Sequence, residues 1–217
     1  MEIIIHEENR EGILKNIPQI KNGICAEIGV LEGYYSKKIL EQNPKTLYLV
    51  DVWMPLENYE DITNNINYPD AFAKIKNLSA SYPNKCVIIK DTSIQTSKRF
   101  KNNFFDFIYI DANHCYEEIK KDVLAWFPKV KSGGVLSGHD YLKFKWEENK
   151  NFLKNGKDVI LYTENQITKI GGEESRGKKN KFGVFGVNPA INEFCIENNY
   201  ELNITNEITA NWWIVKK

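Results

Sequence analysis

Five short apolar runs, each ending in polar or glycine residues, constrain this chain more than any other feature of it. "GICAEIG" (23–29), "TLYLVDVW" (46–53), "KCVIIKD" (85–91), "FFDFIYID" (104–111) and "GGVLSGHDY" (133–141) read as strands. The first four are too continuously apolar to show one face to water, so each needs cover on both sides. Helical spacing fills the gaps. "YYSKKILEQN" (34–43) runs up to Pro44, and "DAFAKIKNLSASY" (70–82) repeats through Phe72, Ile75 and Leu78. A short helix follows near "IQTSKRF", and over 116–130 Tyr116, Ile119, Val123, Phe127 and Val130 share one face. Such alternation predicts an α/β protein with a mainly parallel sheet covered on both faces. The tail adds a helix at "PAINEFCIENN" and strands around "YELNIT" and "NWWIVKK", giving about seven strands with one antiparallel strand near the C-terminus. In the first twenty residues charges interrupt every apolar stretch.

With 217 residues, 42% of them hydrophobic, and no repeat or compositional break, residues 1–217 are expected to form a single domain. Lys plus Arg equals Asp plus Glu at 29 each, so the chain has no global field of the kind that draws a protein to nucleic acid. No segment approaches a membrane span. Cys25, Cys86, Cys115 and Cys195 are scattered without a C-x-x-C pair and read as reduced thiols of a cytoplasmic-type protein.

In open α/β sheets ligands bind at the carboxyl ends of the strands, and here those ends are polar. The first leads through "AEIGVLEGYYS", with Glu27, Gly29 and Gly33 in a strand-to-helix turn. Glycines there either serve the turn alone or let backbone approach a ligand beside the amides of a helix N-terminus. A G-x-G-x-x-G turn of the dinucleotide-binding oxidoreductases is missing, and an acid two residues before the first glycine suits an ammonium better than a pyrophosphate. The second strand ends at Asp51, followed by Val52 and Trp53. A carboxylate at that place can accept both hydroxyls of a ribose. The third ends at Asp91, Thr92 and Ser93, which either face an adenine or cap the next helix, with Thr92 or Ser93 as the cap. Together the three ends point to a nucleoside joined to a zwitterion.

The series "EIGVLEGYYS", "LYLVDVW", "VIIKDTS", "FDFIYIDANHCY" and "KSGGVLSGHDY" resembles the class I S-adenosylmethionine-dependent methyltransferases. The glycine turn is similar to that of catechol-type O-methyltransferases. The D-x-x-H-x-Y stretch from Asp111 and the "GGVLSGHDY" strand, with the tail "GVNPAINEFC…NWWIVK", are similar to small O-methyltransferases of sugars and natural products. The resemblance implies a Rossmann-like doubly wound sheet and S-adenosyl-L-methionine as cofactor. It places Glu27, Gly29 and Gly33 at the methionine end, Asp51 with Val52 at the ribose, Asp91 with Thr92 at the adenine edge, and Asp111 near the cofactor. Trp53 then either covers the adenine or belongs to the core.

An aliphatic hydroxyl is a weak acid, so methylating it calls for a base, a cation on the oxygen, or both. Asp111 ends the fourth strand, and His139 and Asp140 end the fifth. The resemblance makes Asp111, His139 and Asp140 a candidate Mg or Mn site, with His139 better suited to Mn or a transition ion than to Mg. Against that stands a reading in which Asp140 caps a turn and His139 works alone. His114 falls where the catechol type carries a catalytic lysine, and is a candidate base with His139 as its rival. Catalytic roles thus gather on Asp111, His114 and His139. Tyr116 fits the apolar side of its helix, Tyr141 can line an acceptor pocket, and Lys120 and Lys121 read as a solvated face.

Residues 141–181 are longer than the connection expected there, and this insert can close over an acceptor, meet a second subunit in a homodimer, or remain a solvated loop. The resemblance favours a small-molecule or glycan acceptor, a sugar hydroxyl first and a phenol or catechol second. Nucleic acid and membrane are not expected as partners. The competing class is a nicotinamide-dependent oxidoreductase on a similar sheet.

Overall fold

The computed structural model describes residues 1–55, 66–142, 186–207 and 209–217. The readings made for the insert fall outside the described residues beyond its first two positions. Eight strands form one sheet: β1 (Ile3–His6), β2 (Ile24–Ile28), β3 (Thr46–Asp51), β4 (Cys86–Lys90), β5 (Phe105–Ile110), β6 (Val130–Leu142), β7 (Leu202–Thr205) and β8 (Thr209–Val215). Their order is β1-β7-β8-β6-β5-β2-β3-β4. The helices are α1 (Tyr34–Glu41), α2 (Tyr68–Ser81), α3 (Ser93–Ser97), α4 (Tyr116–Trp126) and α5 (Val187–Asn198). β8 runs antiparallel to both of its neighbours, and every other pairing is parallel. The Rossmann-like sheet with one antiparallel strand near the C-terminus is therefore as the sequence indicates.

Two details differ from the sequence reading. β1 makes an eighth strand, paired with β7 at the sheet edge. It escapes detection because it is four residues long, carries the exposed Ile5, and is followed at once by charge. The helix expected over 116–130 ends at Trp126, and Pro128 sits in a 3₁₀ turn over Phe127–Lys129. Proline cannot donate to the helical ladder, so the chain tightens and turns into β6.

Period-two alternation explains the two-sided core. From β2, β3 and β5, Ala26, Ile28, Val50, Ile108 and Ile110 pack on one face with Val123 of α4 and Ile191 of α5. Cys25, Leu47, Leu49, Phe107 and Tyr109 fill the other with Ile39 of α1, Ile75 of α2 and the N-terminal Ile13 and Leu14. By the same alternation Glu27, Tyr109 and Asp111 project to the α1 side. Cys25, Cys115 and Cys195 are buried and Cys86 is half-buried.

β2 and β5 are tied at their carboxyl ends by the Asp111 amide, which donates to the Ile28 carbonyl at 2.7 Å. Gly29, at φ +84°, lies so close that a Cβ there would stand 2.1 Å from the Asp111 carbonyl oxygen. Gly29→Ala combines that clash with a left-handed backbone, and is expected to cost about 2–4 kcal/mol. In thermal unfolding that is a Tm lower by about 5–15 °C for a domain of this size; an unchanged Tm would show that the two strand ends part freely.

Candidate active site at the carboxyl ends of the strands

Asp51 is the organiser of the turn after β2. Its Oδ2 accepts the amides of Val30 at 2.8 Å and Leu31 at 2.9 Å, and its Oδ1 accepts the amide of Trp53 at 2.9 Å. Leu31 (φ 50°) and Trp53 (φ 41°) both take the left-handed conformation, unfavourable for such residues without a partner that fixes them. A carboxylate has about four lone-pair directions, so these amides leave room for one further donor rather than the two ribose hydroxyls envisaged from sequence. Trp53 is 2% exposed, its indole N–H donates to the Leu31 carbonyl at 2.9 Å, and its ring rests against Phe72. Its rings are thus turned into the core and brace the turn, while Val52 beside it is half-buried. Gly33 ends the turn as the residue before α1.

Glu27 is 2% exposed, and among the described residues its carboxylate accepts one hydrogen bond, from the Ser36 hydroxyl. Burial pushes its pKa up to about 8, against the pull of that bond. A buried acid short of positive charge, at the tip of β2, fits the ammonium and sulfonium end of S-adenosylmethionine. At the end of β4, Asp91 accepts its neighbour's amide, Thr92 N, at 2.8 Å and pairs with Arg99. Thr92 is the cap of α3, accepting the Gln95 amide at 3.4 Å. Ser93 instead donates to the buried Asp122 and accepts the Trp126 indole N–H at 2.8 Å, locking α3 to α4.

The parallel ends of β5 and β6 bring Asp111, His139 and Asp140 together, with one ligand atom of each within 4.8 Å of the others. His114 joins them. Its Nε2 lies 2.9 Å from Asp140 Oδ2 and 3.3 Å from Asp111 Oδ1. His139 Nδ1 lies 3.3 Å from the same Asp140 oxygen. Burial would raise both acids, but their histidine hydrogen bonds, and for Asp111 the charge of Arg10, hold them below the usual carboxylate range. Tyr141 does not reach this space: it is 2% exposed and its hydroxyl donates to Asn192. Tyr116 donates to Glu193, which also pairs with Lys120, so that lysine is less solvated than its spacing suggests.

The sequence reading missed Arg10. Its guanidinium pairs with Asp111 Oδ2 and approaches His139 Nδ1 to 3.5 Å. Nothing in a lone arginine within a charged, aperiodic segment marks it; the signal lies in contacts 101 and 129 residues away in the chain. Those contacts bear on the metal expected at this place. The donor chemistry of Asp111, His139 and Asp140 suits a divalent ion, but Arg10 and His114 already engage both carboxylates, so the cluster does not fit an added ion without losing the Arg10 pair.

The sheet order, with a glycine turn beside a buried acid and acids at successive strand ends, is that of an open α/β protein whose crevice lies at the carboxyl ends of its strands. Residues 26–141, more than half of the chain, match the methyltransferase domain family, and the chain belongs to it as a class I S-adenosylmethionine-dependent methyltransferase. No curated protein matches it by sequence. Solved structures share the fold at low identity. A Staphylococcus aureus protein assigned as a caffeoyl-CoA O-methyltransferase is 16% identical, with 94% of this chain and 80% of that one covered at a TM-score of 0.56. A Listeria monocytogenes S-adenosylmethionine-dependent methyltransferase, itself assigned by inference, is 8% identical over 94% and 95% of the two chains, at 0.58. The Burkholderia thailandensis 1,6-didemethyltoxoflavin-N1-methyltransferase, solved with S-adenosylhomocysteine, is 9% identical over 96% and 80%, at 0.55. The oxidoreductase alternative is left without support. Among the described residues no helix is long and apolar enough to cross a membrane.

Proposed function

We propose that the enzyme transfers a methyl group to a hydroxyl of a small acceptor, a sugar or glycan first and a phenol or catechol second. The observation that carries this is His114, held by two carboxylates at the tips of adjacent strands. S-adenosylmethionine supplies an electrophilic methyl group, and the acceptor must present its oxygen in line and lose a proton. With His114 Nε2 facing Asp111 and Asp140, the imidazole takes the acceptor's proton, and the two acids stabilise the imidazolium that results. Bound S-adenosylmethionine would give its methyl group to that oxygen and leave as the neutral thioether, which keeps the electron pair of the broken bond. Glu27 with the Gly29 and Gly33 turn is assigned to the methionine end, Asp51 and Val52 to the ribose, and Asp91 with Thr92 to the adenine edge. Incubation with labelled S-adenosylmethionine and a panel of glycans and phenols tests the acceptor class; transfer only to a nitrogen or carbon nucleophile would overturn it.

A second reading places a Mg or Mn ion on Asp111, His139 and Asp140, and the 4.8 Å convergence of their ligand atoms favours it. It requires Arg10 to leave Asp111.

Glu27 yields a prediction on protons. Its folded pKa of about 8 lies above its ordinary 4.5, so without cofactor it is mainly protonated at pH 7. Between those values the unfolded chain holds fewer protons than the folded one, and burial of Glu27 makes stability fall as pH rises. Binding a cation beside the carboxylate then releases most of one proton at pH 7. Calorimetric enthalpies of cofactor binding should therefore vary with the ionisation enthalpy of the buffer at pH 7 and not at pH 9.5. The variation should vanish in Glu27→Gln; its persistence there would place the released proton elsewhere.

A further inference from the structure

We propose that Arg10 is the resident cation of the Asp111, His139 and Asp140 cluster, and that the enzyme positions its base with this guanidinium instead of a divalent metal. The inference rests on the reading of this cluster as the acceptor end of the methyltransferase site. Two of the three residues that could hold an ion face the guanidinium: Asp111 Oδ2 pairs with Nη2, and His139 Nδ1 is 3.5 Å from Nη1. The second oxygen of Asp111 and the Oδ2 of Asp140 face His114. A chain of contacts thus runs from Arg10 through Asp111 to His114 and Asp140, and a metal entering it would meet a fixed positive charge in its first coordination sphere.

Arg10 is built into this place. Its backbone carbonyl accepts the Tyr35 hydroxyl and the Asn211 side-chain amide, both at 3.1 Å. Asn211 in turn accepts the Tyr109 hydroxyl at 2.8 Å. The guanidinium lies 4.5 Å from the Tyr35 ring centroid and 5.7 Å from that of Tyr109, and three-quarters of the side chain is removed from solvent. Its Nε is buried and, among the described residues, has no hydrogen-bond acceptor, which leaves the Nη groups to serve the cluster. Cations held over aromatic faces are stabilised where water is excluded, so this socket favours the guanidinium remaining where it is. Arg10 acts through Asp111 on His114 and is a positioning residue.

Titration of the full chain with Mn²⁺, followed by loss of the free-ion paramagnetic resonance signal, tests this directly. Wild type should bind no Mn²⁺ at the cluster at millimolar concentration, and EDTA should leave methyl transfer unchanged. Arg10→Gln should bind Mn²⁺ at least about tenfold more tightly than wild type, and Arg10→Gln combined with Asp111→Asn should lose that gain. Arg10→Gln should also lower kcat and displace the pH–rate profile with little change in KM for the cofactor, and Arg10→Lys should restore part of both. One Mn²⁺ per wild-type chain, lost in Asp140→Asn, would overturn the proposal, as would Mn²⁺ affinity that is the same in wild type and Arg10→Gln. Should Arg10→Gln fail to fold, the wild-type titration and Arg10→Lys still decide. Calorimetry with S-adenosylmethionine separates the two readings: failure of the wild type to bind it removes the methyltransferase site, whereas cofactor binding together with a wild-type Mn²⁺ site removes only the role of Arg10.

Discussion

His114→Ala should lower the rate of methyl transfer about 10²–10⁴-fold, the usual contribution of a positioned general base. Cofactor affinity should change far less than the rate, because His114 is held by Asp111 and Asp140 at the acceptor end of the site. The geometry also ranks the two histidines. His114 Nε2 is held between Asp140 at 2.9 Å and Asp111 at 3.3 Å, which orients the ring and stabilises its charged form. His139 Nδ1 lies 3.3 Å from Asp140 and 3.5 Å from the Arg10 guanidinium, so that nitrogen is already engaged by both. His139→Ala is therefore expected to cost markedly less than His114→Ala. An unchanged kcat in His114→Ala with a large loss in His139→Ala would reverse the assignment.

Much of this site was legible because of where burial stops. A strand covered on both faces stays apolar until it leaves the sheet, so the first acid after "IYI" marks the crevice, and Asp111, Asp140 and His114 do meet there. Arg10 was not legible, since what fixes it is a pair of tyrosines on α1 and β5 and an asparagine on β8, brought together only by the sheet order. The direction of Trp53 was equally hidden. A tryptophan two residues past a strand can point out or in, and the left-handed turn that sends it inward depends on Asp51 accepting its amide. β1 was lost for a related reason: an edge strand half open to water needs no long apolar run.

Asp51→Ala should weaken S-adenosylmethionine binding on the order of 100-fold and also destabilise the cofactor-free protein by about 2–4 kcal/mol. The pairing of the two effects is the point. A residue that only contacted a ribose would cost affinity and leave the free protein's Tm in place. Here the carboxylate accepts the amides of Val30, Leu31 and Trp53, and two of those residues sit in left-handed backbone that relaxes when the acceptor is gone. Trp53 would then lose the turn that holds its indole on the Leu31 carbonyl, and the amides ahead of α1 would no longer be arrayed at the crevice. Asp51→Asn should fall between: its carbonyl oxygen can keep two of the amides, but its amino group meets the remaining donor with another donor. Differential scanning calorimetry of the free proteins, set beside cofactor titrations, reads both effects. A full loss of binding with an unchanged Tm in Asp51→Ala would mean that Asp51 serves the ligand and that the turn is held by other contacts.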